Sequence, residues 1–305
     1  MEFFFNMLNL QFMLFLLILA GIMVRKLGII DIQSRKSLSD LLIYVILPCN
    51  IIQSFLGEIS ITNEFFRNCM IALLLSLFIQ IFSIYSSKLL FRRYPDAKKN
   101  VMSYGLICSN SSFIGIPIAE ALYGSLGVLY TSIFQIPIRF TMWTSGLALF
   151  TSVNKKEAFK KLVKHPCIIS VFIGFFLMLT HISPPAFLGN TIAAVSRCTV
   201  PVSMIVIGTI LADANIKTLF SKSVLYFTLL RLVVFPVFIF LILKPFSVEP
   251  LLASICVIMS GMPAGSTGSI LAEKYGCDSM FASQLIFVST FCSIFTIPLL
   301  SLLIK

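Results

Sequence analysis

Residues 108–117, CSNSSFIGIP, lie inside a segment that is otherwise strongly apolar. Four consecutive polar residues are followed by a glycine and a proline: Ser109, Asn110, Ser111, Ser112, Gly115 and Pro117. Proline removes a backbone hydrogen-bond donor and clashes with the preceding helical turn, and glycine adds backbone freedom. The stretch therefore predicts an interruption in the middle of an apolar helix.

The composition indicates that lipid surrounds most of the chain. Of its 305 residues, 58% are hydrophobic and 11% are charged, whereas soluble domains carry roughly 25% charged residues. The mean hydropathy is +1.00. A water-soluble fold could not bury this much apolar surface, so the sequence predicts an all-α membrane protein.

Apolar segments of about 20 residues can each cross the hydrocarbon core of a bilayer. Ten such segments, called spans one to ten below, are predicted at residues 5–24, 38–56, 66–90, 101–123, 127–150, 166–183, 186–212, 222–243, 248–272 and 279–304.

The basic residues predict the orientation of these spans. Loops that follow odd-numbered spans hold 17 Lys and Arg residues, and the opposite side holds 3. Because cytoplasmic loops are enriched in Lys and Arg, we expect both termini outside and the loop at 151–165 in the cytoplasm, in a multi-pass protein of the cell membrane. The net charge of +11 is thereby assigned to topology, and no nucleic-acid partner is expected.

The chain divides into two repeats of five spans, residues 1–150 and 166–305, joined by the cytoplasmic linker 151–165. An odd number of spans per repeat inserts the second repeat upside down relative to the first. Such inverted repeats are typical of secondary transporters.

The two halves also match in sequence within spans four and nine. GIPIAEALYG begins at residue 115 and GSILAEKYG at residue 268, which pairs Glu120 with Glu273. One deletion then pairs Gly124 with Gly276. The match favours two related halves.

Span nine carries an interruption of its own, SGMPAGSTG at residues 260–268. Broken backbone that faces lipid leaves N–H and C=O groups unpaired, each at a cost of several kcal/mol, so it is tolerated only beside protein or a water-filled cavity. Two interruptions in corresponding spans therefore predict a transporter's binding site. Their N–H groups and positive half-helix ends suit an anion, and their carbonyl groups suit a cation.

No pattern in the sequence is typical of an enzyme, a metal site or a cofactor. Zinc-type spacings, Cys-x-x-Cys and phosphate-loop motifs are absent from it, and we expect neither cofactor nor metal. We interpret the eight scattered cysteines as small packing residues. The first apolar segment is expected to be a retained helix, because no basic region precedes it.

At these motifs the chain resembles the auxin efflux carrier family, in its bacterial malate and malonate permease branch. The resemblance rests on SNSSFIGIPIAEALYG, GMPAGSTGSILAEKYG, LIYVILPCNIIQSF, HPCIISVFIGFFLML and RCTVPVSMIVIGTILAD. It covers nearly the whole chain.

The resemblance implies ten helices in two inverted five-helix repeats, with broken helices in spans four and nine that cross near Pro117 and Pro263. It also implies a scaffold domain, a transport domain and an elevator-type movement between them. Substrates in the family are small organic anions, such as malate and malonate in bacteria and auxin in plants. Family members are often homodimers.

The chain departs from the family at two places. Where the family often has an asparagine after the span-nine proline, this chain has Gly265, Ser266 and Thr267. Some plant members place an Asp and a Lys in span three, where this chain offers only Gln80 and serines. The mechanism of coupling therefore does not carry over, and H⁺ and Na⁺ both stay open as coupling ions.

The candidate residues lie at the interruptions and beside the prolines of neighbouring spans. Residues expected to bind the substrate are Asn110, Ser111, Ser112, Pro117, Pro263, Gly265, Ser266, Thr267, Asn50, Gln135 and Arg139. An amide or arginine inside a membrane needs partners and can bind a carboxylate. Glu120 and Glu273 are candidates for proton or ion coupling.

The leading hypothesis is a secondary carrier of a small organic anion, a carboxylate, that works by elevator-type alternating access. One alternative is a sodium-coupled symporter of the bile-acid type, which sodium dependence of uptake would distinguish. Another is a non-transporting membrane sensor on the same fold.

Overall fold

The computed structural model describes residues 2–56, 62–151, 156, 159–160, 163–180, 182–213, 221–246, 248–265 and 267–303. The regular secondary structure in these ranges is helical apart from one isolated β-bridge, and turns and loops connect the helices. The α-helices are α1 (Glu2–Lys26), α2 (Ile32–Leu41), α3 (Leu47–Phe55), α4 (Asn63–Leu90), α5 (Asp96–Ile107), α6 (Ile116–Thr141), α7 (Pro166–Thr180), α8 (Ala186–Ser196), α9 (Thr199–Ala212), α10 (Lys222–Leu229), α11 (Phe235–Leu243), α12 (Pro250–Ser260), α13 (Thr267–Lys274) and α14 (Ser279–Leu303). The all-α prediction is confirmed.

Wider π-helical turns occur at Leu42–Ile46, Ser111–Gly115, Met142–Gly146 and Leu230–Val234. Three of them come two residues before a proline: Pro48, Pro117 and Pro236. Proline lacks an N–H and clashes with the carbonyl of the residue four positions earlier. A locally wider winding relieves that clash, so the helix continues through the proline.

Six stretches in the described ranges are long and apolar enough to cross a membrane: Ile32–Phe55, Asn63–Leu90, Ser111–Leu149, Ala186–Ala212, Lys222–Leu243 and Ser279–Leu302. Two shorter apolar helices are α7 and α12. The chain is thus a multi-pass helical membrane protein by length and composition, whereas ten crossings in inverted repeats stay a prediction.

Helix α4 has a polar inner face and an apolar outer face. It buries Ser76, Gln80, Ser83 and Ser87, and it exposes Leu74, Phe78, Ile81 and Tyr85. Within a water-soluble protein these two faces would be reversed. The pattern is expected of a helix whose outer side touches lipid and whose polar groups find partners inside the protein.

The chain forms two compact units. The first comprises residues 1–70, 112–133 and 163–213. Within it α1 and α9 approach closely at Gly21 and Gly208, since a Cβ on either glycine would overlap the backbone of the other helix. Small residues allow such close packing in membranes, where apolar burial between helices supplies little energy.

The second unit comprises residues 71–111, 134–162 and 214–305. Tyr104, Ile107 and Cys108 form a buried cluster in it. In the same unit, Phe82 of α4 stacks on Phe238 of α11, with ring centroids 4.9 Å apart. Each unit therefore takes segments from both predicted repeats, and the repeat boundaries themselves stay a prediction.

Two glycines adopt left-handed backbone conformations at matched positions. Gly124 has φ 59° and ψ −147°, which breaks the helical path inside α6. Gly276 has φ 69° just after α13. Only glycine adopts such conformations without strain, so these are the two positions of the repeat match at which glycine is required.

Candidate functional site at the helix crossing

Two interrupted helices meet inside the second unit. Helix α5 ends at Ile107 and helical structure resumes at Ser111, while α12 ends at Ser260 and α13 begins at Thr267. Between these ends, Ser109 and Ala264 pair as an antiparallel β-bridge. The interruptions predicted from the sequence thus lie side by side.

Two backbone hydrogen bonds join the interruptions. The N–H of Asn110 donates to the carbonyl of Pro263 over 2.8 Å, and the N–H of Gly265 donates to the carbonyl of Cys108 over 3.0 Å. Pro263 has no N–H of its own, so it contributes only an acceptor. The proline therefore stands at a position of the crossing where the backbone accepts a hydrogen bond from the facing segment.

Gly265 is required by a close approach rather than by its backbone angles. A Cβ at this position would lie 2.9 Å from the carbonyl oxygen of Cys108. Gly105 has a similar role, because a Cβ there would lie 2.8 Å from the Phe227 ring. Gly265 thus lets the two interruptions come within hydrogen-bonding distance, and Gly105 lets α5 pack against the Phe227 ring.

Side chains satisfy further backbone groups of the crossing. The N–H of Ala264 donates to Ser289 Oγ over 3.2 Å. Arg231 donates from Nε to the Met262 carbonyl over 2.8 Å and from Nη1 to the Leu106 carbonyl over 3.0 Å. Since buried backbone groups must be paired, these side chains allow the interruption to exist inside the protein.

Two polar residues of the first interruption are buried, but their side chains do not pair with backbone groups of the crossing. Asn110 is 6% exposed and Ser111 is 2% exposed. The Asn110 amide and the Ser111 hydroxyl make no hydrogen bond to another residue of the described ranges. Buried polar groups normally have partners, so these two side chains are the candidates for contact with a ligand.

Gln135 and Arg139 extend the network behind Ser111. Gln135 Nε2 donates to the Ser111 carbonyl over 3.2 Å, and Arg139 Nη2 donates to Gln135 Oε1 over 3.0 Å. Both side chains are buried. Gln135 and Arg139 lie one helical turn apart on α6. The structure therefore brings both candidates to the crossing.

Thr267 contacts a residue that the sequence did not single out. Its Oγ1 lies 2.8 Å from the hydroxyl of Tyr104, and Tyr104 is fully buried. A tyrosine one helical turn before the polar run is a usable signal, because a buried phenol needs a partner.

A separate polar cluster lies in the first unit. Asn50 Nδ2 donates to Glu120 Oε2 over 3.1 Å and to Ser196 Oγ over 3.1 Å. Asn50 is 2% exposed, and its Oδ1 has no partner among the described residues. Glu120 is half-buried, so its carboxyl group is held by an amide at the edge of the buried region.

The remaining candidates are placed as follows. Ser112 and Pro117 belong to the segment 112–133 of the first unit. Pro117 lies in the first turn of α6, about two helical turns after Ser109. Ser266 and the side chain of Glu273 lie outside the described residues.

Sequence reasoning does not identify two residues that hold these clusters together, Ser289 and Ser196. No pattern in the sequence links Ser289 or Ser196 to a site, since serine is common in these spans. Arg231 carries a signal, because an arginine within an apolar span must find partners, and the structure shows it paired with two backbone carbonyls.

Interrupted, buried and hydrogen-bonded helices in an apolar helical chain define a polytopic membrane protein with a polar site among its helices. The sequence model of one family, described as membrane transport protein, matches residues 7–161 and 155–301. The chain belongs to this family, the auxin efflux carrier family, as the resemblance indicated. Its place is therefore among membrane transport proteins.

The relatives are also transporters by name. An "Uncharacterized transporter" of Methanocaldococcus jannaschii is 24% identical over 296 residues, which cover 93% of this chain and 94% of the relative. Another "Uncharacterized transporter", of Methanothermobacter thermautotrophicus, is 26% identical over 300 residues, with 94% and 95% covered. A "Putative malonate transporter" of Rhizobium meliloti is 22% identical over 232 residues, with 73% and 72% covered.

Proposed function

We propose that the chain is a secondary carrier that moves a small organic anion, a carboxylate, across the cell membrane, and that the anion binds at the helix crossing. The observation that carries the proposal is a pair of buried residues, Asn110 and Ser111, whose side chains have no partner among the described residues. An amide N–H₂ and a hydroxyl are both donors, and a carboxylate is an acceptor.

The electrostatics of the crossing support an anion. The helical segment that resumes at Ser111 and helix α13 both present N-terminal ends toward the interruptions. Helix N-termini carry partial positive charge and free N–H groups. Pro263, Gly265 and Thr267 shape the second of these ends, and Pro117 and Ser112 follow the first; Ser266 would add a hydroxyl.

Arg139 strengthens this attraction in the proposal. It donates to Gln135, which in turn donates to the Ser111 carbonyl. Its guanidinium group therefore places a positive charge two hydrogen bonds away from Ser111. In a region of low dielectric such a charge acts over that distance.

The substrate class is proposed to include dicarboxylates such as malonate. Support comes from the Rhizobium meliloti relative, whose name refers to malonate. At 22% identity over part of the chain, the relative makes malonate the first compound to test.

Ten crossings in two inverted repeats are proposed as the architecture. The apolar stretch Ser111–Leu149 has 39 residues, whereas one crossing needs about 20. The non-helical Gly124 divides that stretch, and its repeat partner Gly276 is left-handed as well. Both termini outside, a cytoplasmic loop at 151–165 and a homodimer complete the proposed arrangement.

The proposed mechanism is elevator-type alternating access with Glu120 as the proton carrier. Two compact units are what such a movement requires. The hydrogen bond from Asn50 holds the Glu120 carboxyl group, and Glu273 is proposed as its counterpart in the second half. The sodium-coupled alternative is tested by the cation used in the same assay.

The experiment is uptake of labelled malonate, malate and related carboxylates into proteoliposomes, with H⁺ and Na⁺ gradients varied independently. Asn110→Ala should lower uptake about tenfold or more, since a hydrogen bond to a charged group contributes roughly 1.5–3 kcal/mol. The matched control is Asn190→Ala, because Asn190 is exposed on α8. Parental uptake by Asn110→Ala would contradict the site, and no uptake of any carboxylate by the parent would favour the sensor.

A further inference from the structure

Arg231 is a buried cation whose partners are backbone carbonyls. It lies on the π-helical turn Leu230–Val234 between α10 and α11 and is 3% exposed. In the described part of the chain it forms no ion pair. Its guanidinium carbon lies 5.7 Å from the centre of the Phe235 ring, a contact that also favours a positive charge.

The two carbonyls that Arg231 binds lie at the end of one interrupted helix and just beyond the end of the other. Leu106 is in the last turn of α5, and Met262 follows the end of α12. The last carbonyls of a helix have no partner within the helix and carry its partial negative charge. The C-terminal end of α5 and the carbonyl that follows α12 therefore both present partial negative charge to the guanidinium group of Arg231.

A cation is favourable at this place, because two buried carbonyls with partial negative charge would otherwise face each other unpaired inside the protein. Carbonyls of unwound helices are also the groups that coordinate metal cations in transporters. Arg231 supplies the positive charge covalently, from a helix of the same unit.

We propose that the Arg231 guanidinium is a built-in cation of the helix crossing, which joins the C-terminal ends of both interrupted helices in place of a bound metal ion. The N-terminal ends of the crossing are thereby left for the anionic substrate. Na⁺ or K⁺ has no position to fill between Leu106 and Met262 while the arginine is present.

The first test separates the charge of Arg231 from its size. Arg231→Lys keeps the charge but has no planar fork, and Arg231→Gln keeps much of the length without the charge. The midpoint of thermal unfolding of the purified protein in detergent should fall by about 5 °C or more for Gln and by less for Lys. Arg197→Ala is the control, since Arg197 is exposed at the end of α8, and it should leave the midpoint unchanged.

The second test returns the missing group. Arg231→Ala leaves room between the carbonyls of Leu106 and Met262, so added guanidinium at millimolar concentration should raise the unfolding midpoint of this variant and not that of the parent. Na⁺ in exchange for choline should not change the midpoint of the parent. The proposal is overturned if the unfolding midpoint of Arg231→Gln equals that of the parent. It is also overturned if the midpoint of Arg231→Lys is no higher than that of Arg231→Gln. It is equally overturned if guanidinium has the same effect on Arg231→Ala and on the parent, or if Na⁺ stabilises the parent.

Only a transport arm of this experiment rests on the proposed function. Uptake by Arg231→Lys should exceed uptake by Arg231→Gln in the same order as their stabilities. If the parent transports no carboxylate, the proposed function fails while the unfolding midpoints still decide the role of Arg231.

Discussion

Gly265 is the residue at which the crossing tolerates the least change. Its N–H donates to the Cys108 carbonyl, and a Cβ would lie 2.9 Å from that same oxygen. Real Cβ atoms do not come this close to a backbone oxygen, so any side chain here would push the two interruptions apart. The glycine is thus required by packing, not by a left-handed backbone.

For Gly265→Ala we expect uptake to fall about tenfold or more and the unfolding midpoint to fall by several degrees, because overpacking costs roughly 1–3 kcal/mol. Uptake assays and thermal unfolding in detergent measure the two effects. Gly189→Ala is the control, since the nearest atom to a Cβ at Gly189 is Pro184 Cγ at 3.9 Å. A Gly265→Ala protein that behaves like this control would show that the crossing is less tightly packed than described.

Glu120→Gln tests proton coupling at the residue level. Glutamine keeps the shape and can still accept a hydrogen bond from Asn50, but it cannot carry a proton. With one proton per substrate, an inward gradient of one pH unit supports at most about tenfold accumulation. We expect this accumulation to be lost in Glu120→Gln and kept in the control Glu64→Gln, whose carboxyl group forms an exposed ion pair with Arg67. Accumulation that persists in Glu120→Gln would assign the proton to another group.

The sequence identifies the polar residues of the candidate site but not all of the residues around them. Asn110 and Ser111 stand out because polar residues inside an apolar span are costly. The sequence does not link Arg231 or Ser289 to this polar run, because they lie 121 and 179 positions after Asn110 along the chain. Which distant residue meets a broken helix depends on how the helices pack, and one sequence alone does not contain that information.

At the scale of helices, prolines interrupt the chain less than their chemistry suggests. Pro117 was expected close to the crossing, yet it lies in the first turn of α6, after the π-helical turn Ser111–Gly115. The crossing is instead formed at Ser109 and Ala264. A wider turn accommodates the missing N–H of proline, whereas the helix is interrupted at residues 108–110, where the polar run begins.

Gly124 and Gly276 should be sensitive to substitution for backbone reasons alone. Nothing lies within 4 Å of a Cβ built on either residue, so a side chain would cause strain without a clash. The conformation of Gly124, with φ 59° and ψ −147°, is essentially restricted to glycine. These two glycines therefore isolate the cost of a left-handed backbone from the cost of packing.

We expect Gly124→Ala and Gly276→Ala each to lower stability by about 1–3 kcal/mol, the cost of holding alanine in a disfavoured backbone region. Thermal unfolding of the two variants beside Gly189→Ala measures the effect, because that glycine has no positive φ. Midpoints equal to that of the control would mean that the backbone relaxes at these positions.

At the scale of the whole molecule, composition was sufficient for the class of protein. Mean hydropathy and the low share of charged residues predicted a helical membrane protein, and the buried serines of α4 beside its exposed leucines agree with it. The division into compact units was not predictable. Each unit combines segments far apart in the chain, and sequence periodicity reports only local structure.

The orientation of the chain can be tested with an epitope inserted into the loop at 151–165. The 17-to-3 distribution of Lys and Arg predicts that this loop is cytoplasmic. A membrane-impermeant protease should cleave the inserted epitope in inside-out vesicles and not in right-side-out vesicles. An epitope at the C-terminus should give the opposite result, and cleavage of both epitopes from one side would contradict five spans in the second half.

The way in which the crossing satisfies its own peptide groups has a consequence for motion. The partners of Asn110, Ala264 and Gly265, and the carbonyls held by Arg231, all belong to one compact unit. If that body shifts along the bilayer normal, these bonds travel with it, and none has to be exchanged for hydrocarbon on the way. The activation barrier to such a movement would then come from side chains at the surface of that unit, and not from the backbone hydrogen bonds of the crossing.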